Sequence, residues 1–339
     1  MKRRDLPTEF HANAPMRLDF AGGWTDVPPF SAREGGVVVN GAIELRAHVE
    51  LRMGGTRLRF VSEELGETLE CANSGGLTPG GKLPLLKAAL RMFPVLGGFT
   101  LTTRSDAPPG SGLGSSGALG VALVGALSRA REESRPDREC AEHAWHVETV
   151  EAQLPGGKQD QFAAALGGFH RLSFHDPDVG IEPLTLDPQF ASALERQTLL
   201  CYTNKSRVSG DTISRVMQGF ERGDRAITSA LHGIKAAGEA MVEALRRADL
   251  GRVAVLLSEN WKHQQSLDPG MRTREMAQLE QAAAAAGALG GKAAGAGAGG
   301  SMFFIMKGEA REAAGAVAAA ADRARVLPVS WTVQGVRSW

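Results

Sequence analysis

One stretch constrains this chain more than any other: Ala107-Pro-Pro-Gly-Ser-Gly-Leu-Gly-Ser-Ser-Gly-Ala118. It follows a β-like run at 99–103 and enters an apolar helical pattern from Leu119 to Leu127. Its glycines and serines carry little bulk, so backbone N–H groups can close around an anion. The helix that begins there adds free donors and the positive end of its dipole. No lysine lies in the loop, so it is not the GxxxxGK[ST] nucleotide loop. The stretch reads as a phosphate cradle of backbone and serine hydroxyls, formed by Pro109, Gly110, Ser111, Gly112, Leu113, Gly114, Ser115 and Ser116.

Two other readings compete. Gly112-Leu-Gly-Ser-Ser-Gly117 satisfies GxGxxG, but a dinucleotide site needs a second strand after the helix, ending in an acid about 20 residues on. Here the helix runs into the charged turn 129–136 and a second helical segment. A Gly/Ser linker would not sit between a strand and an apolar helix.

At 339 residues the chain is long enough for two domains with real cores. A net charge of zero with no basic or acidic block argues against nucleic acid or an anionic membrane as partner. A single tyrosine argues against base stacking. Cys71, Cys140 and Cys201 are odd in number and show no CxxC spacing, which suits a reducing compartment and offers neither disulfide framework nor zinc site. No signal peptide opens the chain and no apolar run approaches 18 residues. The expected location is cytoplasmic.

Further along, the strand 10–20 ends in a glycine turn that gathers Arg17, Asp19 and Asp26. Charges inside an apolar strand tend to face a site, although a solvated surface is the ordinary alternative. Asp137 reads as the N-cap of a helix at 138–152, on which Glu148 shares a face with Trp145. His143 and His146 lack a third ligand and read as surface residues. Leu154-Pro-Gly-Gly-Lys-Gln-Asp160 opens a short helix; Asp160 either answers the helix dipole or points at a substrate hydroxyl beside Lys158. A turn at 175–180 marks a domain boundary. Strand 198–202 leads to a polar loop with Lys205 and Arg207, and helices follow at 210–221, 224–247, 249–266 and 272–287. The small-residue run 287–300 joins two strands and is suited to close approach of backbone to a ligand or to the first glycine loop.

Three separated stretches resemble the GHMP family of small-molecule kinases. Pro108–Gly117 resembles its ATP phosphate loop, Arg17-Leu-Asp-Phe-Ala-Gly-Gly-Trp-Thr-Asp26 its first motif in the sugar-kinase branch, and Lys292–Gly300 its third motif. In the third, alanines at 294 and 298 replace the usual serine and glycine, so position carries over but no side-chain role. The resemblance implies an α+β, two-domain fold, with a ribosomal-protein-S5-like N-terminal domain (1–175) and a ferredoxin-like C-terminal domain (176–339) whose last strand returns to the first. It implies ATP and Mg²⁺ as cofactors, Asp160 as the catalytic aspartate and Arg17 as the neutraliser of developing charge. Ser116 and Glu148 would be the magnesium ligands. Asp26, Gly23, Thr25, Gly157 and Lys158 would lie at the sugar. Gly156–Ala164 and Tyr202–Arg207 look most like the heptose 7-phosphate kinase branch, with the fucokinases nearby. A phosphorylated substrate needs a cation, and Lys205, Arg207 and Lys158 are the candidates by charge. Rival readings are a kinase for an unphosphorylated sugar such as fucose and an inactive ligand-sensing paralogue. A homodimer is compatible with all of these.

Overall fold

The computed structural model describes residues 8–205, 210–321 and 324–339. In chain order the elements are β1 (Glu9–Ala21), α1 (Phe30–Glu34), β2 (Gly36–Met53), β3 (Leu58–Ser62), β4 (Glu67–Cys71), α2 (Pro84–Met92), β5 (Phe99–Ser105), α3 (Ser115–Ala130), α4 (Asp137–His146), α5 (Gln159–Leu166), β6 (Phe169–His175) and β7 (Asp178–Pro183). They continue as α6 (Pro188–Gln197), β8 (Thr198–Tyr202), α7 (Gly210–Glu221), α8 (Arg225–Arg246), α9 (Leu250–Gln265), α10 (Arg274–Ala285), β9 (Ala288–Ala293), β10 (Ser301–Met306), α11 (Ala310–Ala320), β11 (Arg325–Leu327) and β12 (Arg337–Ser338). The fold is α+β, as expected.

The long β2 holds the first sheet together. Its outer half pairs with β5 and its inner half with β6, while β1 runs antiparallel along nearly its whole length. The path is β12-β1-β2-β5-β3-β4, with β6 and β7 branching from β2. Residues Met16–Ala21 of β1 are buried without alternation, because α3 and α5 pack on the strand together with α8 and α9 from the second half of the chain. The second sheet, β11-β8-β10-β9, follows the β-α-β-β-α-β connectivity of a ferredoxin-like unit.

Three local expectations change. The turn at 175–180 is part of a hairpin: β7 pairs with β6, so the first sheet reaches Pro183. Pro136, not Asp137, is the N-cap of α4. The helix does not stay regular to 152 but widens into a π-helical turn at Val147–Glu151. Such turns cluster at functional sites, and this one carries Glu148.

The C-terminal tail leaves the second sheet after β11 and lies on the first. Arg46, 6% exposed, donates to Asn13 Oδ1, Thr332 Oγ1 and the carbonyls of Gln334 and Gly335. Val336 N donates to Ala165 O at the end of α5. The six terminal residues, unassigned from sequence, thus brace the helix whose other end enters the cleft described next.

Candidate active site

The first glycine loop closes against the third glycine run. A Cβ on Gly295 would lie 2.4 Å from Gly112 O, and one on Gly300 would lie 2.9 Å from Ser111 O. Only hydrogen fits at either position, which explains the small-residue run better than low complexity does. Ala298 is an exception inside it, with a left-handed φ of 57°. Ala298→Gly is therefore expected to raise stability by about 0.5–1 kcal/mol, since relief of the Cβ clash outweighs the added chain entropy. A urea titration checks it, and a lower midpoint would refute it.

Helix α3 starts from Gly114 in the left-handed conformation and has no side-chain cap. Its first N–H groups and the hydroxyls of Ser111, Ser115 and Ser116 line one wall of a cleft of about 380 Å³, a size suited to a small polar ligand. An uncapped helix start beneath a glycine loop is a fit for phosphate oxygens.

Four carboxylates line the same cleft, each held by a different partner. Asp160, on the first turn of α5, takes Arg17 Nε at 2.9 Å and Nη2 at 2.8 Å, both on Oδ1. Arg17 Nη1 donates to Gly112 O at 2.8 Å, so one guanidinium ties Asp160 to the glycine loop. A Cβ on Gly117 would lie 2.6 Å from Asp160 Cβ, so α3 and α5 touch at this point. Glu148 accepts from Ser116 Oγ and from Gln161 Nε2, each at 2.5 Å. Burial pushes its pKa up to about 7, the nearby Asp160 adds to this, and its two hydrogen bonds oppose it. Asp26, 2% exposed, accepts from Gln159 N at 3.0 Å and Gln159 Nε2 at 3.4 Å. Burial raises its pKa to about 6, with Asp160 and Asp19 contributing repulsion. A Cβ on Gly157 would lie 1.9 Å from Asp26 Oδ2, and one on Gly23 2.2 Å from Asp19 Oδ2, so both glycines make room for carboxylates.

Asp19 is paired with Lys292, whose Nζ donates to Asp19 O at 2.7 Å and Oδ2 at 2.8 Å. Lys292 is fully buried, and burial lowers its pKa against the opposing pull of Asp19. This pair joins β1 to β9 across the two sheets. Four acids against two cations leave an excess of negative charge, which a divalent metal would offset. The Ser116 and Glu148 oxygens are a hard donor pair of the kind Mg²⁺ takes.

Several sequence expectations separate from this cleft. Thr25 is fully buried with its hydroxyl donating to Gly22 O and accepting from Val37 N, so it holds the turn and does not reach the cavity. Leu113 is core, though its carbonyl accepts from Arg17 N. Pro109 stands outside the lining and offers its carbonyl to Tyr202. Lys158 is buried over the Trp145 ring at 4.6 Å and bonded to Asp176 at 2.5 Å, and it does not line the cleft. Lys205 pairs with Glu275 at 2.9 Å. Arg207 lies outside the described residues. Conversely, Gln159, Gln161 and Lys292 hold the site's carboxylates although sequence reading gave them no role. The signal was present: two glutamines flank the single acid at the start of α5.

Comparison with known proteins gives the family. The family described as "GHMP kinases N terminal domain" matches residues 84–168, and "GHMP kinases C terminal" matches 241–323. The chain is 33% identical to a D-glycero-alpha-D-manno-heptose 7-phosphate kinase of Campylobacter jejuni subsp. jejuni serotype O:2, over 96% of this chain and 97% of that one. It is 26% identical to an L-fucokinase/L-fucose-1-P guanylyltransferase of Bacteroides fragilis, over 76% of this chain and 30% of that one. A crystal structure of a D-glycero-D-manno-heptose 1-phosphate kinase from Bacteriodes thetaiotaomicron superposes with a TM-score of 0.78 at 26% identity, covering 97% of this chain and 98% of that one.

Proposed function

The chain belongs to the GHMP kinase family and is a sugar kinase, and from that premise we propose that it transfers the γ-phosphoryl of ATP to the anomeric hydroxyl of a heptose 7-phosphate. The observation that carries this reading is the Arg17–Asp160 pair set directly against the phosphate loop, beside the Ser116–Glu148 oxygens. Similarity to the Campylobacter heptose 7-phosphate kinase along the whole chain supports the substrate.

In this reading the sugar lies between Asp26 and Asp160. Asp26 accepts from sugar hydroxyls, and Asp160 accepts the proton of the hydroxyl that attacks. Arg17 stands where it can offset the charge spreading over the transferred group, since such reactions need positioning and electrostatics more than covalent chemistry. The loop amides and serines hold the nucleotide's phosphates. Ser116 and Glu148 would hold Mg²⁺, which would supply positive charge against the phosphates. Closure of the two glycine runs on each other keeps the loop rigid, so donors are aimed before the reaction begins.

One observation favours a second reading, a kinase for an unphosphorylated sugar such as fucose. Lys158 and Lys205, two of the three cations expected at a substrate phosphate, are already paired with Asp176 and Glu275. The deciding experiment is ATP consumption with Mg²⁺ against free and phosphorylated sugars. Turnover confined to heptose 7-phosphate is the expected result. Turnover on free fucose alone would move the assignment to the second reading, and absence of turnover with ATP still bound would identify a sensing paralogue.

A further inference from the structure

The geometry points to Gln159 and Gln161 as positioning residues that divide the site between them: Gln159 sets the carboxylate of Asp26, and Gln161 sets the carboxylate of Glu148. The inference rests on the roles proposed above for those two acids. Three consecutive residues of α5 each address a different carboxylate. Gln159 reaches Asp26 through both its backbone N and its Nε2, Asp160 supplies its own carboxylate to Arg17, and Gln161 donates Nε2 to Glu148 Oε2. At the start of a helix successive side chains point about 100° apart, so one turn can serve three directions at once.

The residue type matters. A carboxylate can only accept, so each amide must present its NH₂ to it. The spare Oε1 atoms of Gln159 and Gln161 are buried and have no partner among the described residues, so the bond to the acid is the one hydrogen bond each side-chain amide makes among them. Both residues are at least nine-tenths buried. A lysine or arginine in either place would also satisfy the acid, but would add a charge that competes with a metal at Glu148 or pairs off Asp26 from the sugar. A neutral donor fixes the oxygen it touches and leaves the acid its charge. At Glu148 the consequence is directional: Oε2 is held by Gln161, and Oε1 is left beside Ser116 Oγ.

The test is a double dissociation. In Gln161→Met, Mn²⁺ binding in the presence of a non-hydrolysable ATP analogue, followed by electron paramagnetic resonance, is expected to weaken by about 10–100-fold, and the Mg²⁺ concentration for half-maximal activity to rise in step. Its KM for sugar should stay within about twofold. Gln159→Met, which keeps the bond from the backbone N and removes only the longer Nε2 contact, should do the reverse, raising the sugar KM by about 3–10-fold with Mn²⁺ affinity kept. General loosening of α5 would move both constants in both variants, and that result, or no change in either, would overturn the inference. Should Gln161→Met fail to fold, Gln161→Asn, one methylene short of Glu148, gives the same readings. Glu148→Gln separates the two levels: if it binds Mn²⁺ as tightly as the wild type, the metal role of Glu148 falls. If it weakens binding while Gln161→Met does not, only the role of Gln161 falls. The Mn²⁺ arm needs no sugar, so it decides Gln161 even if no sugar in the panel is turned over.

Discussion

Asp160→Asn is expected to lower kcat by about a thousandfold while leaving ATP affinity within about twofold of wild type. The asymmetry follows from which atom Arg17 uses. Both guanidinium contacts fall on Oδ1, and an asparagine Oδ1 can accept the same two bonds, so the pair's geometry and the link from Arg17 to Gly112 O survive. Packing survives too, because the space between α3 and α5 is set by Gly114 and Gly117 against the Asp160 side chain, whose size hardly changes. What the proposed mechanism loses is an acceptor for the proton of the attacking hydroxyl, together with one negative charge. A steady-state assay of ADP release, with ATP binding followed separately by a fluorescent nucleotide, checks both halves. A fall in kcat of less than about fivefold would mean that positioning alone carries the reaction and that Asp160 is no base.

The glycine loop and the Arg17–Asp26 stretch are legible in the sequence because glycine clusters admit few explanations. A run of residues that cannot fill space must be where something else does. The helices of the second half fall within a few residues of their expected bounds, whereas the sheet they pack on was expected only from the family resemblance. Charge alone served poorly. Lys158 and Lys205 looked free for a phosphate, yet each meets an acid from another segment, Asp176 in the β6–β7 turn and Glu275 on α10. Sequence shows that a lysine is charged but not which acid folding will bring to it. Lys292 was the converse case. It heads the third glycine run, for which the resemblance supplied a position but no side-chain role, yet it is sealed against Asp19 from the other sheet. The hydroxyl of Thr25 shows the same limit at short range: it neighbours the site in sequence but spends its bonds on the turn that shapes it.

Asp26→Asn is expected to trade activity for stability. Asp26 is buried, and its pKa of about 6 stands above the 3.8 of an unperturbed aspartate. Between roughly pH 4 and 6 the folded chain therefore holds a proton that the unfolded chain releases, so this group's contribution to stability falls as pH rises through that window. Above it the folded state carries a buried anion at a cost on the order of 2–3 kcal/mol. Asparagine has no such charge. Its Oδ1 can keep the bond from Gln159 N, and its NH₂ can donate to Gln159 Oε1, now unpartnered among the described residues, once that amide turns over. The variant should melt roughly 3 °C above wild type at pH 7.5, and the two should converge near pH 4. The difference between the chains reports Asp26 together with the repulsion it exchanges with Asp160 and Asp19, while more distant titrating groups cancel. The same substitution should lower kcat/KM for sugar by about a hundredfold, since a charged acceptor for hydroxyls is gone. A variant that melts below wild type at every pH would show that Asp26 contributes to stability through its bonds more than its burial costs. The acid would then be structural, and the sugar would have to find its anchor elsewhere in the cleft.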